Sequence, residues 1–336
     1  GVNLDDHREL LEGLGPHAAE VLRASWQEAS RALSPRGLDA WLEGARSLHA
    51  LGRGPEVVSA FVLGAPAVAR EVGEEALSEM LRASLSLASK TSGGVIALAF
   101  SAAPTAARRL ADPDLFRGWL ELLAQLVAQA PRGVRPMLEN MDRLLAVLTL
   151  GGLRRWALWG ARAHATDFAA QERYFGLASP EALSILQKER KGTLLVDVHR
   201  RLSMYLRALW GREFWLRPAA GEGEATRPFI ADFTIHLPDA LDDAPEAAGP
   251  DLYRAMAAHA AAHLAYTREA MSAEGLTPLQ MAAIGVMEDA RVEALAARDF
   301  PGLAAIWRRL HRATPSDDAT VRALLGRVAR ALADPA

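Results

Sequence analysis

Residues 259–263 read His-Ala-Ala-Ala-His, inside the stretch DLYRAMAAHAAAHLAYTREA (251–270). Imidazoles four apart on a helix share one face, and this is the spacing with which paired histidines hold zinc. In the hydrolytic version, the residue after the first histidine is a glutamate that takes a proton from metal-bound water. Here that position is Ala260, whose methyl group accepts nothing. The segment supplies two ligands and lacks the base.

The next helix is expected to supply a third ligand. LTPLQ (276–280) is a strong helix start, with Thr277 as N-cap, Pro278 in the first position and Gln280 closing a capping box. Beyond it Met281, Ile284, Glu288, Val292 and Leu295 recur at helical spacing, which turns Glu288 inward and leaves Asp289 and Glu293 on a more exposed side. On the preceding helix, opened by Pro250 and Asp251, the same spacing joins Leu252, Met256, His259, His263 and Tyr266. His259, His263 and Glu288 are therefore the expected zinc set, two histidines and a carboxylate. The competing expectation is a metal-free cluster in which Glu288, Arg291 and both histidines hydrogen-bond one another and clamp the helices together.

Those helices need a scaffold, and self-comparison of the first half suggests its form. Trp41, Met80, Trp119 and Trp156 recur at steps of 39, 39 and 37 residues, and Pro66, Pro104, Met141 and Pro180 at steps of 38, 37 and 39. Two markers with one period predict paired helices of roughly 38 residues that stack as an α-solenoid of about four hairpins. The expected fold is thus mostly α: a helical-repeat domain over 1–218, then a small α+β domain over 219–336 carrying a degenerate zinc-peptidase-like helix pair. LLVDVHRRLSMYLRALWGREFWLRP (194–218) reads as one long helix in which His199 is solvated or salt-bridged. AAGEGEAT (219–226) reads as the boundary, and PFIADFTIHLP (228–238) as a strand. HRATPSDDATVRALLGRVARALADPA (311–336) reads as a loop and one helix capped by Ser316. KTSGG (90–94) is not a phosphate-binding loop, because Ser89 stands where that motif needs glycine before Lys90.

Composition narrows the function. The 336 residues are 50% hydrophobic, which fits a folded chain rather than a disordered one. A formal net charge of −3 gives no reason to expect nucleic acid or an anionic membrane surface as partner. The absence of cysteine excludes disulfides, thiolate metal sites and cysteine nucleophiles. GGVIALAFSAAPTAA (93–107) is too short to insert in a membrane, and acidic residues at 5, 6, 9 and 12 do not suit a secretory leader. The expected location is the cytoplasm.

AHAAAHLAY (258–266), IGVMEDARVEAL (284–295) and FPGL (300–303) resemble the nitric-oxide-reductase activation protein NorD and the Rubisco-activase adaptor CbbO. EDARVEAL is distantly similar to the CobT-type cobaltochelatase subunit. Further likeness runs through 87–110, 149–163, 206–218 and 233–240. The resemblance implies a non-catalytic adaptor, with chaperone-like action, for a MoxR-type AAA+ ATPase ring. Its client would be nitric oxide reductase or Rubisco. It also implies a C-terminal von Willebrand factor A domain that holds Mg²⁺ through Asp-x-Ser-x-Ser. That motif is absent from these residues, so any magnesium role belongs to a part not present here. The alternatives are a zinc-dependent metallopeptidase-like enzyme, a structural zinc-binding domain, or a scaffold that binds clients without an ATPase.

Overall fold

The computed structural model describes residues 3–219, 227–311 and 320–333. It is mostly helical, with seventeen α-helices among the described residues and a small amount of sheet. Two compact units divide at Arg190 and Lys191.

In the first unit, a 3₁₀ turn at Leu4–His7 precedes α1 (Arg8–Gly13), α2 (Pro16–Ala32), α3 (Pro35–Leu51), α4 (Pro55–Val72), α5 (Ala76–Ala88) and α6 (Gly93–Leu110). Then follow α7 (Pro113–Gln129), α8 (Val134–Glu139), α9 (Met141–Leu145), α10 (Leu150–Ala163), α11 (Phe168–Phe175) and α12 (Pro180–Glu189). Local chemistry sets the starts. Proline opens α2, α3, α4, α7 and α12, and hydroxyl or carboxylate caps stand at Ser34, Asp112, Thr149, Asp167 and Ser179. The KTSGG segment is a helix start of this kind, where the Ser92 hydroxyl accepts from the Val95 amide. Pro66 and Pro104 lie inside α4 and α6, which continue through them.

Several helices pack on their next-but-one neighbours, α4 against α2 and α6, α5 against α3 and α7, and α10 against α12; α10 also packs on α7, across the short α8 and α9. Trp41, Met80, Trp119 and Trp156, the four recurring large residues, are each 0% exposed. Two of the indoles also hydrogen-bond across helices, Trp41 Nε1 to the Val62 carbonyl at 3.1 Å and Trp156 Nε1 to the Ala182 carbonyl at 3.0 Å.

The second unit comprises β1 (Thr193–Leu194), α13 (Leu195–Trp210), β2 (Trp215–Pro218), β3 (Phe229–Ala231), β4 (Thr234–Leu237), β5 (Ala240–Leu241), α14 (Gly249–Tyr266), α15 (Pro278–Asp299), α16 (Gly302–Arg308) and α17 (Val321–Ala333). The expected single helix over 194–218 is a helix and a strand. Gly211, at φ 69°, terminates α13 in the left-handed conformation, and Trp215–Pro218 then joins a sheet. The expected strand over 228–238 is a hairpin. Asp232 and Phe233 take φ 49° and 60° at its tip, a primed two-residue turn without the usual glycine. In the three-stranded sheet, β4 is central, parallel to β2 and antiparallel to β3; β1 and β5 pair separately and antiparallel.

The unit boundary lies upstream of the expected 218/219 for a packing reason. Leu195, Val198, Leu202 and Leu206 of α13 share a core with Leu216, Ile235 and Leu237 of the sheet and Tyr253 and Ala257 of α14. His199 Nε2 is 3.1 Å from the Leu216 carbonyl, so it joins α13 to β2 rather than standing in solvent. The Ser316 cap falls outside the described residues.

Candidate metal centre

α14 is an alanine helix buried on most sides. Tyr253, Ala257, Ala258, Ala261 and Ala262 are each 0% exposed, and the Tyr253 hydroxyl donates to the Pro238 carbonyl at 2.6 Å. Small side chains let α13, α15 and α16 approach closely. Trp307 of α16 donates its indole N–H to the Ala255 carbonyl at 3.1 Å and sets its ring edge-on to His259, 6.3 Å between centroids.

α15 starts as its sequence requires, with the Thr277–Gln280 capping box complete. Thr277→Ala is expected to cost about 1 kcal/mol, read as a lower urea midpoint with an unchanged slope. An unchanged midpoint would mean that tertiary contacts alone hold that end.

The inward face of α15 keeps the expected Val292 and Glu288, whose side chain is 14% exposed, and extends beyond them. Val292 and Ala296 are buried, while Met281 is 42% exposed. Asp289, 50% exposed, and Glu293, 14% exposed, lie one and five residues after Glu288 and reach the histidines. His259 Nδ1 lies 2.8 Å from Glu293 Oε1, and His263 Nε2 lies 3.0 Å from Asp289 Oδ1. The two imidazoles meet with Nε2 atoms 3.2 Å apart, and His259 Nε2 is 3.5 Å from Asp289 Oδ1. His311 Nε2 is 3.5 Å from the other oxygen of Glu293.

Glu288 is brought near this group but engaged elsewhere. It accepts from the Thr267 hydroxyl at 2.6 Å and from Arg291 Nε and Nη2 at 2.7 Å each. Arg291 also donates to the Tyr266 carbonyl at 3.1 Å. The forked bond from Arg291 holds the Glu288 carboxyl down to about 2. Glu288 and Arg291 thus close the end of α14, and the residues whose ligand atoms converge on one point are His259, His263 and Asp289.

The electrostatics follow from that convergence. Burial opposes charge on His259, but hydrogen bonds to Asp289 and Glu293 and their negative charges outweigh it and raise the imidazolium to about 9. Burial likewise opposes ionisation of Asp289 and Glu293, yet the bonds to the histidines bring both carboxyls below their ordinary range. Comparison with protein-family models, curated proteins and solved structures finds no match. No helix among the described residues is long and apolar enough to cross a membrane.

A signal for the observed pairing was present in the sequence. Histidines four apart face acids four apart, 259 and 263 against 293 and 289, in the reverse order that antiparallel helices impose. The expected stripe placed Glu288 inward, where its side chain is 14% exposed, but Thr267 and Arg291 take its oxygens and leave the histidines to the neighbouring carboxylate.

Proposed function

We propose that the chain is a non-catalytic adaptor, a substrate-recognition module that works with a MoxR-type AAA+ ATPase on a client such as nitric oxide reductase or Rubisco. One structural observation supports the binding role. Side-chain links in the first unit recur at separations close to the sequence period: Ser34–Glu74, Arg117–Glu79, Arg109–Leu145, Arg132–Gln171 and Arg155–Glu189 span 34 to 40 residues. A stack of about four helical hairpins would be tied together by bonds of this spacing. Such stacks present extended surfaces suited to protein partners. The nature of the ATPase and the client rests on the resemblance of 258–266, 284–295 and 300–303.

The test is co-elution of the purified chain with a MoxR-type ATPase and with each client, in the presence and absence of ATP. A complex with the ATPase is the expected result. Binding to neither ATPase nor client would overturn the proposal, and binding to a client alone would favour a scaffold. The second reading, a metallopeptidase-like enzyme, draws on the His259–His263–Asp289 convergence and is opposed by Ala260, which cannot act as base. Chelator-sensitive cleavage of a peptide by the chain alone would establish it over the adaptor.

A further inference from the structure

We propose that His259 Nε2, His263 Nε2 and Asp289 Oδ1 bind one zinc ion that staples α14 to α15, with Glu293 as the positioning residue behind His259. The argument is geometric. A tetrahedral ion with bonds of about 2.0–2.1 Å keeps its ligand atoms about 3.3–3.4 Å apart. The three separations here are 3.0, 3.2 and 3.5 Å, so one ion reaches all three atoms without moving a helix.

Tautomer logic points the same way. At 2.8 Å from the Glu293 carboxylate, His259 Nδ1 must be the donor. A neutral His259 therefore turns its Nε2 lone pair toward a carboxylate oxygen and a second imidazole nitrogen. The three atoms are bridged either by a hydrogen that His263 Nε2 donates or by a metal ion that takes its place. A histidine whose second nitrogen is held by a carboxylate is the usual outer arrangement of zinc ligands. Glu293 is itself approached by His311 at 3.5 Å, which holds the support in place.

Donor type selects the ion. Two imidazoles and one carboxylate suit zinc and its late first-row neighbours, whereas magnesium and calcium prefer sites made of oxygen. The Asp289 side chain is 50% exposed, so water can reach the fourth position. With Ala260 after the first histidine, no carboxylate at that position takes the proton from that water. The ion's work is cross-linking: three ligands from two helices are brought together.

The test is titration of the chelator-treated full chain with zinc chloride by calorimetry, alongside elemental analysis of untreated protein. One zinc per chain is expected. His263→Ala and Asp289→Asn should each weaken binding at least tenfold, and Glu293→Gln by about 10–100-fold. Glu288→Gln should leave it unchanged. Asp289→Asn preserves shape, so it remains informative if His263→Ala fails to fold, as judged by circular dichroism. Cobalt substituted for zinc should give the intense visible bands of four-coordinate geometry. Sub-stoichiometric zinc in the wild type, equal affinity in wild type and Asp289→Asn, or loss of binding in Glu288→Gln would each overturn the assignment.

Discussion

Replacement of Trp156 by alanine should destabilise the first unit by about 3–5 kcal/mol, the upper range for emptying a buried aromatic site. The indole is 0% exposed, stacks on Tyr174 at 4.9 Å and meets Phe175 edge-on at 5.4 Å. Its N–H holds the Ala182 carbonyl of α12, and the Tyr174 hydroxyl returns a bond of 2.7 Å to the Trp156 carbonyl. Truncation therefore opens a cavity, leaves the Ala182 carbonyl without its indole partner and loosens α10 from both α11 and α12. Small→large change on the same helix should also hurt, because a Cβ on Gly160 would collide with the Tyr174 ring. Trp159→Ala is the control: that ring is 38% exposed and should cost much less. Chemical denaturation followed by far-ultraviolet circular dichroism measures all three. A loss under about 1 kcal/mol for Trp156→Ala would show that α12 is not held through this residue.

The period that marks Trp156 was legible because it is written in large residues. A large residue, Trp41, Met80, Trp119 or Trp156, recurs at steps of 39, 39 and 37, and all four positions are fully buried. The helix starts were legible for a similar reason: proline, serine, threonine and aspartate act locally, whatever packs on them later. Two features were not legible. Trp215–Pro218 is apolar enough to continue α13, and the break begins at the left-handed Gly211, four residues before the strand. The turn at Asp232–Phe233 has no glycine, since the sheet rather than the local sequence imposes positive φ there. At the candidate site, the two histidines were found from spacing alone. Their carboxylate partners depended on the rotation of α15 about its axis, and adjacent acids at 288 and 289 differ in that respect by about 100°. Burial does not settle which one meets the histidines, since Glu288 is 14% and Asp289 50% exposed; the side-chain bonds do, Glu288 turning to Thr267 and Arg291 and Asp289 to His263.

That pairing has a consequence in the pH dependence of the metal-free chain. His259 is raised to about 9 in the folded state from an ordinary 6.5. A raised folded value means that its contribution is complete below pH 6.5 and is lost as pH climbs through 9. Asp289 and Glu293 are lowered, so theirs is complete above their ordinary values, 3.8 and 4.5, and is lost as pH falls beneath them. The chelator-treated second unit should thus be most stable between about pH 5 and 6.5, losing about 3 kcal/mol by pH 9. Urea midpoints at pH 5.5, 7.5 and 9 measure the alkaline limb. His259→Gln, which cannot take a proton, should remove it. Zinc should remove it too, by a different route. The ion replaces the proton between the same three atoms, so its apparent affinity should rise up to tenfold per pH unit toward 9. Stability in zinc would then stay level over the range where the metal-free chain weakens, because the gain in metal affinity offsets the loss of the proton's contribution. A limb of equal size in His259→Gln would place the titrating group elsewhere. A zinc-saturated profile parallel to the metal-free one would mean that proton and metal do not share the site.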